Sequence, residues 1–502
     1  MTNQTSTGWG SRIGLILAMA GNAVGLGNFL RFPAQAIENG GGAFIIPYLV
    51  CFLLMGLPLL FVEWGMGRFG GSKGQHSTPF IFDAIGKAPF WKYFGVFGIF
   101  TNIAVAAFYC YLESWALSWA FHSVAGTFDG MTKIQLDHFF TSYIELGSSQ
   151  PIVFWLICLV LNTFILSRGL KGGVEKVAKI GMPLLLFFGL ILAITGVTLK
   201  ASPGGADFDG LVGLDYLWSP DFSSIWSFKV WVAAAGQIFF TLSLGMGSIH
   251  CYASYLNSRE DIALNAMTAG WMNEFVEVVL GSAIIIPISV GFLGIDAISD
   301  MVSGGSGFGI GFQVLPQLFG SWGWFGTLSG LMWFGLLFFA GITSSMAMGT
   351  PLIGFMRDNF GWKSQYGAYL FGALIFLFGI PAVLSQDAFN EYDYWAGTVA
   401  LVLFAMIEIV LFAWVLGMDK AWDEITRGAD IKVPIIFKYI IKFISPVFLI
   451  VVFVGGLPEI INRATKETSF YGWLGRAMLL ILFVGIAILV AFAKRKLLKT
   501  NK

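Results

Sequence analysis

The stretch that decides the fold is Gly21-Asn22-Ala23-Val24-Gly25-Leu26-Gly27-Asn28, which lies inside an otherwise apolar run. Three glycines and two asparagines in so short a stretch weaken a helix. A membrane-spanning helix must satisfy its own backbone polar groups, because lipid offers them no hydrogen-bond partner. The pattern therefore predicts a membrane helix that is interrupted near its midpoint.

A second stretch of this kind is Thr241-Leu242-Ser243-Leu244-Gly245-Met246-Gly247. Each stretch lies in the first span of a predicted block of five spans. Matching interruptions in two halves of a chain indicate a midplane binding site in an inverted-repeat transporter. An unwound turn frees carbonyl oxygens for a cation, and the next helix start offers amides to an anionic group. Close helix packing through Gly21 and Gly25 is the alternative interpretation.

The composition excludes several classes of protein. Apolar residues make up 57% of the 502 residues and charged residues only 12%, whereas a soluble domain carries about a quarter charged residues. This argues against a large soluble enzyme, a disordered protein and a disulfide scaffold. The net charge is zero, so no basic field indicates nucleic-acid binding. The four cysteines have no metal-ligand spacing and are predicted to be buried thiols; they are Cys51, Cys110, Cys158 and Cys251.

Runs long enough to cross the hydrocarbon, about 20 mostly apolar residues, predict an all-α integral membrane protein with twelve transmembrane helices. We expect a five-plus-five inverted repeat with helices one and six unwound at the midplane, plus two extra C-terminal helices. The predicted spans are Ser11–Ala36, Ala43–Met66, Tyr93–Phe121, Pro151–Ser167, Ile180–Thr198, Val230–Tyr255, Ile262–Phe292, Trp324–Met356, Tyr366–Val383, Tyr394–Leu416, Ile440–Leu457 and Trp473–Phe492. The predicted units are residues 1–200 (tail and helices 1–5), 201–418 (helices 6–10) and 419–502 (helices 11–12 and cytoplasmic tail).

Lysine and arginine residues concentrate in the even-numbered connections and after the last span, and the stretch Leu293–Gly323 has none. Cytoplasmic loops are enriched in these residues. We therefore expect a multi-pass protein of the cytoplasmic (inner) membrane, with both termini cytoplasmic.

Further collinear stretches are Gly236-Gln237-Ile238-Phe239-Phe240 before the second interruption, Phe338-Phe339-Ala340-Gly341-Ile342-Thr343-Ser344-Ser345, and Asp393-Tyr394-Trp395-Ala396-Gly397-Thr398. Together with residues 15–33, they show that the chain resembles the neurotransmitter:sodium symporter family, especially its bacterial leucine-transporter branch. The resemblance runs from Trp9 to the twelfth span. It implies a sodium-coupled symporter that works by alternating access, and not an enzyme.

The family implies two sodium sites beside one substrate, and no organic cofactor. The first sodium would be held by Ala23, Asn28, Thr241 and Asn273, together with the substrate's carboxylate. The second would be held by Gly21, Val24, Ala340, Thr343 and Ser344. All of these are hard oxygen ligands, as a hard cation requires. Glu277 occupies the position at which chloride-dependent relatives bind the anion, which implies chloride independence and leaves proton antiport open.

The resemblance also implies a substrate pocket, made of Asn22, Ala23, Gly25, Leu26, Gly27, Val105, Tyr109, Phe240, Thr241, Ser243, Met246, Ser344 and Met348. Gly25 stands where monoamine-transporting members carry an aspartate, which favours an amino acid substrate. The pocket is mostly apolar and uncharged, so we expect a neutral, hydrophobic L-amino acid, whose buried side chain contributes about 1.5–3 kcal/mol. Met246 and Met348 replace bulkier or branched residues of the leucine transporter, which leaves aliphatic, methionine and aromatic substrates open.

Two gates follow from the same resemblance. Arg31 and Asp393 match the external gate pair, and Trp9, Tyr255 and Asp358 match the cytoplasmic gate. The arginine that pairs with this aspartate in the family is replaced by Ser6, so Arg12 is an open candidate for that role. An ordinary solvated helix end is the alternative interpretation of Asp358.

Other intramembrane polar residues are assigned less specifically. For Glu63, Glu113 and Glu408 we expect structural hydrogen bonding, and the four histidines are scattered in the sequence. A channel or receptor that retains a transporter scaffold, and a membrane-embedded enzyme, are the competing classes. The expected partners are a neutral amino acid substrate and the lipid bilayer, without nucleic acid, and a homodimer stays open.

Overall fold

The computed structural model describes residues 8–86, 88–145, 148–202, 206–303, 310–320 and 322–500. In these residues ten helices are long and apolar enough to cross a membrane. They are spans 2 to 5 (Gly42–Gly71, Trp91–Val124, Ser149–Ser167, Leu170–Thr198) and spans 7 to 12 (Ile262–Val302, Trp324–Phe360, Ser364–Leu384, Gln386–Val415, Ile436–Thr465, Phe470–Ala493).

Two further apolar segments are interrupted, as predicted. Span 1 consists of Arg12–Ala23 and Gly27–Glu38, which are bent by 44° relative to each other. Span 6 consists of Phe228–Thr241 and Ser248–Ala253. With the ten continuous helices, these two give the twelve predicted spans.

Shorter helices connect the spans. The sequence placed residues 293–323 in a connection, but span 7 continues past a kink at Gly294, where φ is 76°. The turn near this kink is held by the Phe208 amide, which donates to the Gly291 carbonyl at 2.8 Å. The shorter helices are Thr78–Gly86, Lys133–Ile144, Gly210–Trp218, Ser223–Trp226, Ile310–Val314, Leu315–Gly320 and Met418–Thr426.

Spans 3 and 8 pack along each other through the middle of the molecule. The first half of span 1 lies against spans 5, 7 and 8, and the second half of span 6 lies against spans 2 and 8. The two interrupted spans are therefore enclosed by continuous helices. Spans 4, 5, 11 and 12 instead turn large apolar side chains outward, such as Val160, Phe187, Val447 and Ile481, which is the surface that a bilayer covers.

The four cysteines are buried and free, in agreement with the sequence-based prediction of inert thiols. Their burial among apolar residues follows from their positions inside the spans.

Candidate functional site

The interruption in span 1 is held open by side chains that replace helical hydrogen bonds. The first half ends at Ala23, and Val24 is extended, with φ of −77° and ψ of 101°. The Asn28 side-chain oxygen accepts from the Gly25 amide at 2.7 Å. The Tyr109 hydroxyl, from span 3, accepts from the Leu26 amide at 2.9 Å. The Gly25 and Leu26 amides thus donate to polar side chains and not to backbone carbonyls of a helical turn.

The interruption in span 6 depends on left-handed backbone conformations. Gly245 and Gly247 have φ of 69° and 90°, which glycine adopts without steric cost. Ser243 has φ of 54° and is the only non-glycine residue with positive φ in the described part of the chain. Its hydroxyl donates to the Asn22 carbonyl at 2.8 Å, and the Gly245 amide donates to Glu63 Oε1 at 2.7 Å. The two breaks therefore contact each other directly.

The side chains predicted for the first sodium site form one buried polar cluster. Asn28 Nδ2 donates to Asn273 Oδ1 at 2.7 Å and to Glu277 Oε2 at 3.1 Å. The Thr241 hydroxyl donates to Asn273 Oδ1 at 3.2 Å and also contacts Glu277 Oε2. Gln237 Nε2 donates to the other Glu277 oxygen at 2.6 Å. The cluster offers carbonyl, hydroxyl and carboxylate oxygens, which fit a hard alkali cation.

The side chains predicted for the second sodium site bring spans 1 and 8 together. Ser344 Oγ donates to the Gly21 carbonyl at 3.1 Å, and Thr343 Oγ1 donates to the Ala340 carbonyl at 3.2 Å. A Cβ at Gly21 would lie 2.9 Å from Thr343 Cβ. Glycine is thus required for the close approach of the two helices. Val24, at the end of the first half of span 1, is fully buried beside this cluster.

A small cavity lies between the two breaks. Two predicted residues, Asn22 and Leu26, act through their backbone beside the cavity and do not line it. Gly397 and Leu401 from span 10 line it and were not predicted. No aspartate, glutamate, lysine or arginine is among the described lining residues. The predicted residues that line it are Ala23, Gly25, Gly27, Val105, Tyr109, Phe240, Thr241, Ser243, Met246, Ser344 and Met348.

Comparison with protein families supplies the identification. Residues 6–133 and 145–500 match the family described as the sodium:neurotransmitter symporter family. The chain belongs to this family. The resemblance inferred from the two interrupted spans is therefore confirmed, and the protein is a multi-pass membrane transporter and not an enzyme.

Relatives of this symporter cover nearly all of the chain. An uncharacterised sodium-dependent transporter of Methanocaldococcus jannaschii is 29% identical, over 98% of this chain and 97% of the relative. One from Haemophilus influenzae is 30% identical, over 91% and 99%. A sodium-dependent nutrient amino acid transporter of Drosophila pseudoobscura pseudoobscura is 25% identical, over 93% and 78%. The chain is accordingly a sodium-dependent transporter.

A solved structure supports the same fold. The crystal structure of MhsT in complex with L-phenylalanine matches with a TM-score of 0.77 and 29% sequence identity, and covers 89% of this chain and 99% of that chain. The twelve-helix architecture of this symporter is confirmed by that likeness.

The predicted external gate pair of the symporter is not joined directly. Within the described residues, no ion pair of 4.0 Å or less links Arg31 to Asp393. The Arg31 guanidinium instead lies 4.4 Å from the centroid of the Phe240 ring, a cation–π arrangement. Asp393 lies beside the cavity, because a Cβ at Gly397 would be 3.0 Å from its Oδ1. Arg31 Nη1 is buried and has no hydrogen-bond partner among the described residues.

At the other end of the symporter, Asp358 is held by two basic side chains. Its Oδ1 accepts from Arg357 Nη2 at 2.7 Å, and its Oδ2 lies 3.0 Å from His76 Nδ1. The Tyr255 ring packs between these residues, 4.4 Å from the His76 ring and 5.3 Å from the Arg357 guanidinium. Asp358 therefore belongs to a packed cluster and is not an ordinary solvated helix end.

The remaining cytoplasmic-gate predictions have mixed outcomes. Trp9 Nε1 donates to the Tyr252 carbonyl at 3.2 Å and packs edge-on against the Tyr252 ring. Arg12 does not replace the missing arginine, because it pairs with Asp430 at 3.7 Å on the surface. Ser6 lies outside the described residues.

Sequence reasoning missed several residues of the symporter's site. Gln237 and Gly397 lie inside the stretches that resemble the symporter family, so the sequence could have indicated them as site residues. Nothing in the sequence indicated His76, because its contact with Asp358 joins residues that are far apart in the chain.

The expectation of structural hydrogen bonding holds for two of the three glutamates. Glu113 accepts from Asn162 at 3.0 Å and from Ser345 at 2.7 Å. Glu63 accepts from a backbone amide of span 6. Neither oxygen of Glu408 has a hydrogen-bond partner among the described residues, so there the expectation is not met.

Proposed function

We propose that this transporter carries neutral, hydrophobic L-amino acids into the cell with sodium ions, by alternating access and without chloride. The observation that carries the proposal is the uncharged cavity between the two helix breaks. We place the protein in the cytoplasmic membrane with both termini inside the cell. Alternating access would open this cavity in turn to each side of the membrane.

The helix ends around the cavity suit the two charged ends of an amino acid. The Tyr109 hydroxyl accepts from the Leu26 amide, which leaves its own proton to donate to a carboxylate. The first halves of both broken spans end at the cavity, at Ala23 and Thr241. Carbonyl oxygens and the negative dipole end at a helix C-terminus favour an ammonium group.

The remaining walls suit an apolar side chain. Val105, Phe240, Met246, Met348 and Leu401 line the cavity, so an apolar side chain bound there would be removed from water. Methionine side chains are flexible and fill irregular gaps, which supports a range of aliphatic and aromatic substrates. The similarity to MhsT, whose structure contains L-phenylalanine, supports an aromatic amino acid within that range.

The two polar clusters suit sodium. We assign the first ion to Ala23, Asn28, Thr241 and Asn273, with the substrate carboxylate as a further ligand. Glu277 contacts three of these side chains and places a carboxyl group there, which supports the independence from chloride.

The second ion is assigned to Gly21, Val24, Ala340, Thr343 and Ser344. Each sodium that moves down a 100 mV potential contributes about 2.3 kcal/mol. Two ions would therefore support accumulation of roughly a thousandfold from the potential alone.

Uptake into proteoliposomes tests the proposal. Purified protein is reconstituted, an inward sodium gradient is imposed, and labelled L-phenylalanine is followed with chloride present or replaced by gluconate. We expect accumulation above the outside concentration in both cases, and none when choline replaces sodium. Uptake that never exceeds the outside concentration would refute symport and favour a channel on the same scaffold. Competition by each of the twenty amino acids then ranks the substrates.

A further inference from the structure

Three titratable side chains from three different spans meet inside the molecule, away from the substrate cavity. Glu63 lies on span 2, His250 on the second half of span 6, and Glu408 on span 10. His250 Nδ1 is 3.4 Å from Glu63 Oε2, and His250 Nε2 is 3.6 Å from Glu408 Oε2. All three side chains have 0% exposure. The proposed sodium and substrate sites use none of them.

The ring nitrogens and carboxyl oxygens that face each other in this cluster receive no hydrogen bond from the other described residues. Both ring nitrogens, Glu63 Oε2 and both Glu408 oxygens have no hydrogen-bond partner among the described residues. A buried polar group without a partner is strongly disfavoured, and a buried charge even more so. Two adjacent carboxylates therefore require a proton or another cation between them.

Among the described residues, the arginines on the elements packed around His250 are engaged elsewhere. On the first half of span 1, Arg12 pairs with Asp430. On span 2, Arg68 is engaged with Glu424, 2.8 Å away. On span 8, Arg357 is engaged with Asp358. The helix Thr78–Gly86 turns the Phe82 ring toward the imidazole, 6.3 Å away, and carries Asp83 as its titratable residue. The Phe404 ring of span 10 lies 6.0 Å from the imidazole.

We propose that Glu63, His250 and Glu408 form a buried proton-binding site, in which an imidazolium lies between two carboxyl groups and is coupled to the substrate cavity. The proton comes from a hydronium ion of the bulk water: its O–H bond breaks as an N–H bond forms at the unprotonated nitrogen of the neutral imidazole, and a water molecule is left. One ligand atom from each of the three residues lies within 4.8 Å of the others, which is close enough for a metal ion, but the orientation of the ring favours a proton. A metal binds one ring nitrogen, whereas here opposite ring nitrogens face different carboxyl groups.

The coupling runs through the break in span 6. Glu63 presents one oxygen to His250 and uses the other to accept from the Gly245 amide. Gly245 lies between Ser243 and Met246, which line the cavity. Removal of the proton leaves two carboxylates that repel each other and draws Glu63 away from this amide. Substrate affinity is therefore expected to fall as the pH rises.

The protonation state can be measured directly, without a substrate. Full-length protein is labelled with ¹⁵N-histidine, and its ring resonances are followed by NMR between about pH 5 and pH 8, the range in which histidine charge normally changes. The resonance that disappears in His250→Gln is expected to report a doubly protonated ring at neutral pH. The resonance of exposed His138, identified by His138→Gln, is the control that lies outside the cluster.

Three results in these measurements overturn the proposal. One is a neutral His250 ring across the whole pH range. Another is a stoichiometric divalent metal in the purified protein that is lost in His250→Gln, which would assign the cluster to a metal instead. If His250→Gln does not fold, Glu408→Gln is used instead, because it keeps the shape of the carboxyl group. An unchanged His250 ring resonance in Glu408→Gln is the third result that overturns the proposal.

Binding of labelled L-phenylalanine in saturating sodium tests the coupling. Affinity of the unmodified protein is expected to drop roughly tenfold or more from acid to alkaline pH, about the effect of one charge-assisted hydrogen bond. His250→Gln should flatten this profile, and His138→Gln should retain it. Identical profiles for the unmodified protein and His250→Gln overturn the coupling. If no variant binds L-phenylalanine at any pH, the proposed substrate fails, and the NMR measurement decides the proton site.

Discussion

Replacement of Gly25 by alanine places a methyl group in the wall of the cavity. A Cβ at this position would lie 2.7 Å from the Tyr109 hydroxyl and 3.0 Å from Ser344 Oγ. Both distances are too short for a methyl group, so the Tyr109 side chain has to move. Its hydrogen bond from the Leu26 amide, now 2.9 Å, is then lost. The substitution therefore acts on the group that we assign to the substrate carboxylate.

The size of the effect follows from these two changes. Overpacking by one methyl group costs about 1–3 kcal/mol, and loss of a neutral hydrogen bond costs about 0.5–1.5 kcal/mol. The strain appears on binding, because the substrate fills the space into which Tyr109 would otherwise retreat. The sum of about 1.5–4.5 kcal/mol corresponds to binding that is roughly 10- to 1,000-fold weaker.

Equilibrium binding of labelled L-phenylalanine to purified protein, in saturating sodium, measures this change. Gly236→Ala is the matched control, because a Cβ at Gly236 on span 6 would meet no atom within 4 Å. We expect its affinity to equal that of the unmodified protein. If Gly25→Ala is folded by thermal unfolding and binds within about threefold of the unmodified protein, the assignment of Gly25 and Tyr109 to the substrate's carboxylate end is refuted.

Three further predictions address the pocket, an ion site and the fold. Met246→Phe enlarges a wall residue of the cavity and should narrow the substrate range towards aliphatic amino acids in a competition assay. Thr343→Val removes a hydroxyl proposed as a sodium ligand and should raise the sodium concentration for half-maximal binding about tenfold, the effect of one such ligand. Arg68→Met removes the buried partner of Glu424 and leaves it only the half-exposed Arg427, so it should destabilise the protein by about 3 kcal/mol, measured by thermal unfolding in detergent.

Each of these has a result that contradicts it. An unchanged competition profile for Met246→Phe would remove that side chain from the pocket, and an unchanged sodium titration for Thr343→Val would remove the hydroxyl from the ion site. For Arg68→Met, the control is Arg12→Met, whose ion pair is exposed on the surface and should contribute at most about 1 kcal/mol. If the two variants lose the same free energy of unfolding, burial of the ion pair does not determine how much it contributes to stability.

Local chemistry explains why the interrupted helices could be predicted. Glycines and asparagines weaken a helix wherever they stand, and the breaks appear between Ala23 and Gly27 and between Thr241 and Ser248. Helix ends were less predictable. Span 7 continues to Val302 because Gly294 bends the chain without ending the helix.

Contacts between distant residues were beyond a single sequence. The pairing of Asp358 with Arg357 and His76, and the position of Arg31 over Phe240, depend on how the helices pack and on the side-chain rotamers.

The amino-acid sequence alone therefore determined the membrane class, the number of spans, the two breaks and most of the residues that line the cavity. The membrane class, the spans and the breaks follow from hydrophobic length and backbone preference, which act within a few residues of the chain, whereas the lining residues followed from the resemblance to the symporter family. The tertiary structure alone decided that Glu63, His250 and Glu408 meet, that span 10 completes the cavity, and that the outer gate pair is apart. Such contacts depend on the relative position of whole helices, and a shift of one turn, about 5.4 Å, would abolish each of them.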